Sequence, residues 1–235
     1  MEQKQAERIQ TSILNGLEHK LLVWLAQRQP RWVTSDMLTI VGSIGAVIIA
    51  IGYILTTRDI RWLWLASFGF LVNWYGDSLD GNLARVRNTQ RPIYGFYLDH
   101  TIDGFNETLM FLGVGFSCLV NLSVALVILA EYLLLSTSVY INSHLKGEFR
   151  LTYAKMGPTE FRLIAIIINT ICIYTPAMWT EHQHVWLGIP CTVTAMDYCA
   201  IAIIVVLAII LAVTTIQDIR YYSKIDPQKH FDKQK

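Results

Sequence analysis

Between Gly76 and Phe105 the chain reads GDSLDGNLARVRNTQRPIYGFYLDHTIDGF, and four aspartates in this stretch stand at spacings that could hold a metal ion. Asp77 and Asp80 are three residues apart, and Asp99 and Asp103 are four apart. On helices, either spacing puts both carboxylates on one face. Each pair sits at the end of an apolar stretch, and a short basic connection joins the two, so the acidic stripes can face each other. Carboxylates near hydrocarbon are expensive, about 2.5–3.5 kcal/mol each at mid-helix and less near the interface. Four of like charge also repel one another, so a cation is needed to offset the cluster. Oxygen ligands without cysteine favour a hard divalent ion, Mg2+ or Mn2+. Such ions bind a few carboxylates and complete their shell with water and substrate phosphates. Gly81 and Ala84 follow the first pair and Gly95 lies one turn before Asp99, leaving room for backbone and ligand to approach. Arg85 can fork onto a phosphate. The pattern describes a metal–diphosphate site.

The elements that must position these acids are membrane helices. The chain has 235 residues, 53% hydrophobic and only 16% charged, against about 25% charged in an ordinary soluble domain. The charges gather between apolar runs near the roughly 20 residues needed to cross a bilayer. The expected fold is all-α, a polytopic membrane protein of six transmembrane helices preceded by an interfacial amphipathic helix. Residues 5 to 28 carry apolar positions at helical spacing (Ile9, Ile13, Leu17, Leu21, Leu25) with charges between them, too polar to span. Pro30 ends that helix. Spans are expected at Met37–Thr56, Trp62–Tyr75 (continuing as helix into the acidic motif), Gly95–Leu119, Leu122–Ile141, Phe161–Trp179 and Ala195–Ile216. The resulting organisation is an N-terminal interfacial helix (1–31), a six-helix catalytic domain (32–219) and a basic cytoplasmic tail (220–235). The opening MEQKQAERIQ lacks the apolar core of a secretory signal, so the first span is expected to act as the insertion signal.

Six spans place both termini on one side. That side carries 17 Lys and Arg residues, against Arg58 and Arg61 on the other. By the positive-inside rule the heavy side is cytoplasmic, and so is the acidic motif. A formal net charge of +1 makes no electrostatic case for nucleic acid, and none is expected as a partner. The four cysteines show no metal or disulfide spacing and read as packing residues. Trp32, Trp62, Trp64, Trp74 and Trp179 fit an interfacial aromatic belt. Glu107, one turn beyond Asp103, is expected to support the site, whereas Glu131 inside the fourth span has no evident role.

The full pattern, D-x-x-D-G-x-x-A-R followed by G-x-x-x-D-x-x-x-D, resembles the signature of the CDP-alcohol phosphatidyltransferase family, membrane enzymes of phospholipid head-group synthesis. Here it is Asp77, Asp80, Gly81, Ala84, Arg85, Gly95, Asp99 and Asp103. Eight such identities arise by chance about once in 10^10 start positions at ordinary composition. The nine residues between Arg85 and Gly95 make a long loop for the family. The resemblance implies that Asp77, Asp80, Asp99 and Asp103 ligate Mg2+ or Mn2+, two ions in all. Asp103 would also serve as general base, and Gly81, Ala84 and Arg85 would lie against the CDP part of the donor. The acceptor hydroxyl then attacks the donor phosphorus distal to cytidine, and CMP leaves. The partners implied are a CDP-linked donor and an alcohol acceptor, one of them a lipid, with surrounding membrane lipids and a homodimeric assembly. His100, directly after Asp99, is similar to a catalytic histidine of the choline/ethanolamine phosphotransferase branch; a structural hydrogen bond is the alternative. In KMGPTEFR, Glu160 and Arg162 resemble a Gly-x-x-Glu segment of the family. With Arg150 and Lys155 they could hold a phosphate-bearing acceptor or lipid head group, or simply supply positive-inside charge and helix capping.

Two substrate arrangements stay open. In one, CDP-diacylglycerol gives its phosphatidyl group to a small polar acceptor such as a polyol phosphate. In the other, CDP-choline or CDP-ethanolamine reacts with a diacylglycerol. A transporter passing cations along intramembrane acids is a different class of function. It would place acids at mid-membrane and show repeats or broken helices, whereas these acids sit at one interface and no repeat is visible. A non-catalytic scaffold is disfavoured by the presence of all four aspartates.

Overall fold

The computed structural model describes residues 7–9, 15–146, 148–150, 157–186 and 189–227. Seven α-helices are found among them: α1 (Asn15–Arg28), α2 (Ser35–Leu55), α3 (Leu63–Val86), α4 (Pro92–Gly115), α5 (Leu122–Lys146), α6 (Pro158–Tyr174) and α7 (Ala195–Ile225). Two short strand pairs join them. β1 (Glu7–Ile9) runs parallel to β2 (Glu148–Arg150), and β3 (His182–Trp186) is antiparallel to β4 (Ile189–Val193). By length and composition, α2, α5 and α7 can each cross a membrane. The other long helices carry the polar groups of the acidic motif or, in α6, are only 17 residues long.

Helices α2 and α3 form the closest pair, because small residues line both faces. On α3 these are Ala66, Gly69, Asn73 and Gly76, at spacings of three and four. A Cβ on Gly45 of α2 would come within 2.7 Å of the Asn73 Cα, and one on Gly76 within 2.6 Å of the Gly42 Cα. Lipid tails are as apolar as leucine, so this intimate packing, and not hydrophobic burial, holds membrane helices together. Asn73, 2% exposed, adds a bond across the contact, its Nδ2 donating to the Gly42 carbonyl at 2.9 Å.

The turn from α3 to α4 aims the acids. Asn88 takes a left-handed conformation (φ 53°), Thr89 N–H donates to the Ala84 carbonyl and Asn88 N–H to that of Arg85. This is a Schellman ending, with asparagine tolerating the positive φ. Pro92 then opens α4, where its missing N–H costs nothing. Arg87 braces the turn from beneath, donating to the carbonyls of Gln29, Pro30 and Val33. Helix α1 packs Leu22 and Ala26 against Leu38, Leu79 and Leu83. It is also tied down by Glu18, which accepts from Trp74 Nε1 at 2.9 Å and Thr159 Oγ1 at 2.5 Å.

Several boundaries depart from the pattern-based expectation: α4 covers Pro92–Gly115 instead of Gly95–Leu119 and α5 runs on to Lys146, and three more have a clear physical cause. Glu7–Ile9 lie in a strand, and the helix expected from residue 5 starts at Asn15. Ladder bonds to β2 outweigh a weak helical preference there. Helix α6 ends at Tyr174 instead of running to Trp179, because Pro176 cannot continue it and restrains Thr175 before it. Helix α7 continues to Ile225, through the first residues assigned to a tail; residues 228–235 lie outside those described. Two polar clamps hold α7 in place. Asp197 accepts from Asn121 N and Nδ2, each at 2.7 Å. Further along, Asn142 donates to Asp218 at 2.7 Å and accepts from Tyr222 at 2.8 Å.

Candidate metal and phosphate site

Asp77 on α3 and Asp99 and Asp103 on α4 converge, each offering a carboxylate oxygen within 4.8 Å of the other two. Oxygens sharing one Mg2+ at about 2.0–2.1 Å lie roughly 3–4 Å apart, so the trio is on the scale of a hard-cation site. Asp80 stands beside the trio, within electrostatic range of Asp77 and Asp99. Its carboxylate accepts from Thr39 Oγ1 of α2 at 2.7 Å and from the Gly81 N–H at 2.5 Å, and Ser35 of α2 donates to its carbonyl at 3.0 Å.

Helix α6 delivers a guanidinium into this cluster. Arg162 Nη2 donates to Asp77 Oδ2 at 2.5 Å and Nε donates to Asn73 Oδ1 at 2.8 Å. Nη1 is buried with no hydrogen-bond partner among the described residues. Both ends of the ion pair are largely enclosed, at 13% and 23% side-chain exposure. Arg162 thus sits on the acids themselves, with donors left over for another anion.

Other expected residues fall in varied places. Gly81 borders open space, its nearest neighbour at the Cβ position being Arg85 Nη2 at 3.8 Å. Arg85 lies exposed one helical step on and donates to Asn82 at 3.2 Å. Gly95 also borders open space. Ala84 is half-buried on the same face of α3 as Gly81. His100 lies at the edge of the acids: Nδ1 is 2.8 Å from the Phe96 carbonyl and 3.9 Å from Asp99 Oδ2. Its ring stacks on Phe96 and meets Tyr140 of α5 edge-on. Glu160 is buried and accepts from Gly157 N–H at 2.9 Å, closing the start of α6. The backbone of Arg150 pairs with Ile9 in the β1–β2 ladder, and Lys155 lies outside the described residues. Glu107 is engaged by Tyr132 of α5, and the Oε2 of Glu131 is buried without a hydrogen-bond partner among the described residues. At the N-terminal end of α4, Arg91 pairs with Asp36 and covers the Tyr94 ring at 4.0 Å. The Asp36 carboxylate raises the Arg91 pKa above its ordinary value.

Asn73 and Thr39 were not singled out from sequence. Asn73 carried a signal, being a lone polar residue four positions before Asp77 on the same helical face. Thr39 carried none, since its contact with Asp80 depends on how α2 packs against α3.

Residues 32–216 match the CDP-alcohol phosphatidyltransferase family, and the chain belongs to it. Among curated relatives, it is similar to a phosphatidylinositol phosphate synthase of Cutibacterium acnes (strain DSM 16379 / KPA171202), 39% identical over 84 residues. That match takes in 35% of this chain and spans little more than a third, 37%, of the relative.

Proposed function

We propose that this chain is a divalent-metal-dependent CDP-alcohol phosphatidyltransferase of phospholipid synthesis, moving a phosphatidyl group from CDP-diacylglycerol to a phosphate-bearing polyol and releasing CMP. The observation that carries the reading is the meeting of Asp77, Asp99 and Asp103 from two helices with Arg162 set among them. Family membership and the similarity to a phosphatidylinositol phosphate synthase support the reaction class and a lipid-linked donor. The working arrangement is six spans with the site and both termini cytoplasmic, supported by the 17-to-two distribution of Lys and Arg. A homodimer belongs to the same proposal and is tested by the mass of the purified complex.

The roles follow from chemistry. Asp77, Asp80, Asp99 and Asp103 would hold Mg2+ or Mn2+, which when bound neutralises the diphosphate and stabilises the departing phosphate. Gly81 and Ala84 leave the donor's diphosphate room along α3, and Arg85 reaches it with a fork of donors. Arg162 uses its remaining nitrogens for the acceptor's phosphate, with Asn73 holding the guanidinium in plane. Arg150 and Lys155 add charge on the same side, and Glu160 fixes the first turn of α6 and so the direction of Arg162. Asp103 accepts the proton of the acceptor hydroxyl as its oxygen attacks phosphorus; the bond from that phosphorus to the CMP oxygen breaks, and CMP carries off the electron pair. His100 orients the start of α4 through its bond to the Phe96 carbonyl.

The test is CMP release by the purified protein with Mg2+ or Mn2+, offered CDP-diacylglycerol, CDP-choline or CDP-ethanolamine with polyol phosphates or diacylglycerol. Turnover with CDP-diacylglycerol and a polyol phosphate is expected, lost in Asp103→Asn and Asp80→Ala. Turnover with only CDP-choline or CDP-ethanolamine would transfer the reading to the other substrate arrangement. Activity surviving in either variant would overturn the assigned roles.

A further inference from the structure

Glu18 on α1 joins the two helices that carry the Asp77–Arg162 ion pair. One carboxylate oxygen, Oε1, accepts both from Trp74 Nε1 of α3 at 2.9 Å and from Thr159 Oγ1 of α6 at 2.5 Å. Trp74 stands three residues before Asp77, and Thr159 three residues before Arg162. At 1.5 Å per residue each donor lies about 4.5 Å along its helix from a member of the pair, and residues three apart share a helical face. Glu18 therefore bridges the same α3–α6 contact that the ion pair closes.

Helix α6 depends on such bonds for its place. Its buried residues are Glu160, Asn169 and Cys172, whereas Phe161, Ile164, Ile167 and Ile171 are 40–58% exposed. Apolar contact supplies little driving force between helices in lipid, so the polar ties set where α6 stands against α3. One tie lies deep in the bundle. Asn169, seven residues after Arg162, donates to Ser67 of α3 at 3.2 Å and accepts from Tyr53 of α2 at 2.9 Å. The other is Glu18, at the first turn of α6, and Arg162 lies between the two. Glu18 has a firm base from which to hold: Leu22 and Ala26 seat α1 on Leu79 and Leu83 of α3, and Arg87 grips the carbonyls of Gln29 and Pro30 just beyond α1.

We propose that Glu18 is a positioning residue of the reaction, holding α6 against α3 so that the Arg162 guanidinium stands between Asp77 and the acceptor's phosphate; this rests on the acceptor role given to Arg162 under Proposed function. It acts through Thr159 and the first turn of α6, not on the reacting atoms. Because a single oxygen takes both donors, the bonds do not require a charge. The carbonyl oxygen of glutamine accepts the same pair, while aspartate, one methylene shorter, does not reach both. The interfacial helix is thus a working part of the site as well as an anchor.

Steady-state kinetics of the full chain in nanodiscs, with CDP-diacylglycerol and a polyol phosphate, provide the test. Glu18→Ala should raise KM for the acceptor about tenfold, the worth of one hydrogen bond to a charged group, and leave kcat and the donor KM within about twofold. Glu18→Gln should restore the parental acceptor KM, and Glu18→Asp should not. Thr159→Val should reproduce the Glu18→Ala shift, and the double variant should be no worse than either alone, since both break one link. Losses that multiply, equal losses for donor and acceptor, or a Glu18→Gln as impaired as Glu18→Ala would each overturn the proposal. Lys20→Ala, exposed on the same helix, should leave both KM values unchanged; a shift matching that of Glu18→Ala would point to surface charge on α1 and overturn it too. Should Glu18→Ala fail to fold, Thr159→Val and Glu18→Gln carry the same comparison. A second readout needs no turnover: dipolar coupling between nitroxides on the exposed Leu71 of α3 and Phe161 of α6. The coupling should change in Glu18→Ala and Thr159→Val and match the parent in Glu18→Gln; identical coupling in all of them would overturn the proposal. Absence of CMP release from any donor by the unaltered protein would instead remove the underlying reaction, and the dipolar measurement would still decide whether Glu18 places α6.

Discussion

Replacing Arg162 with glutamine separates the guanidinium's work in the fold from its work in the reaction. In the structure it neutralises Asp77 at 2.5 Å and is itself held by Asn73 at 2.8 Å, with both charged side chains largely enclosed. A hydrogen bond to a charged group contributes about 1.5–3 kcal/mol, and breaking a buried ion pair from one side costs about 3–5 kcal/mol. The partial exposure of Asp77 and the polar cluster around it argue for the lower end, about 2 kcal/mol. For a chain of this size that corresponds to a melting temperature lower by about 4–8 °C. The loss should depend on metal. With chelator present, nothing replaces the missing charge at Asp77 and the full deficit appears. A divalent ion at a hundred times its Kd stabilises by about 2.7 kcal/mol, and in the variant it binds Asp77 without competing with a guanidinium. The gap between variant and parent should shrink to less than half when Mn2+ is added. Thermal unfolding in detergent, with and without Mn2+, reads this out. A gap of the same size under both conditions would refute the idea that guanidinium and cation share Asp77, and no deficit in chelator would refute the energetic account of the pair.

Other substitutions probe the supports of the site. Asn73→Ala should raise KM for a phosphate-bearing acceptor about tenfold while moving kcat less, because it frees the guanidinium without removing it; a matched fall in kcat at unchanged KM would contradict this. Gly76→Val should abolish recovery of folded protein or cost about 3 kcal/mol or more, since its Cβ would lie 2.6 Å from the Gly42 Cα; full stability would show that α2 and α3 can separate. Asp197→Ala should lower the melting temperature by several degrees, because it orphans a buried donor on Thr194 and a part-buried one on Asn121, yet leave KM for the donor unchanged.

The acidic stripes were legible in sequence because helical periodicity acts locally: spacings of three and four make faces, and a short turn makes the faces meet. The helices themselves followed from apolar run length and from Pro30 as punctuation, whereas the start of α4 at Pro92 did not. The partner of Asp77 was not legible. Arg162 lies 85 residues away, and nothing in KMGPTEFR distinguishes a guanidinium inserted between helices from one lying at the membrane surface. Thr39 was invisible for the same reason, its role being set by the glycine-mediated approach of α2 to α3. Glu160 could be read as ligand or cap, and its bond to the Gly157 N–H shows the capping geometry. The strands at residues 7–9 and 148–150 could not be foreseen from three-residue segments whose only support is each other.

Binding of Mn2+ to the purified protein, followed by electron paramagnetic resonance as free ion disappears, tests most directly whether α3 and α4 jointly hold a divalent cation. Stoichiometric binding that Asp77→Asn and Asp99→Asn each weaken, one residue from either helix, is the predicted result. Binding that is absent, or that survives loss of either carboxylate unchanged, would contradict the account.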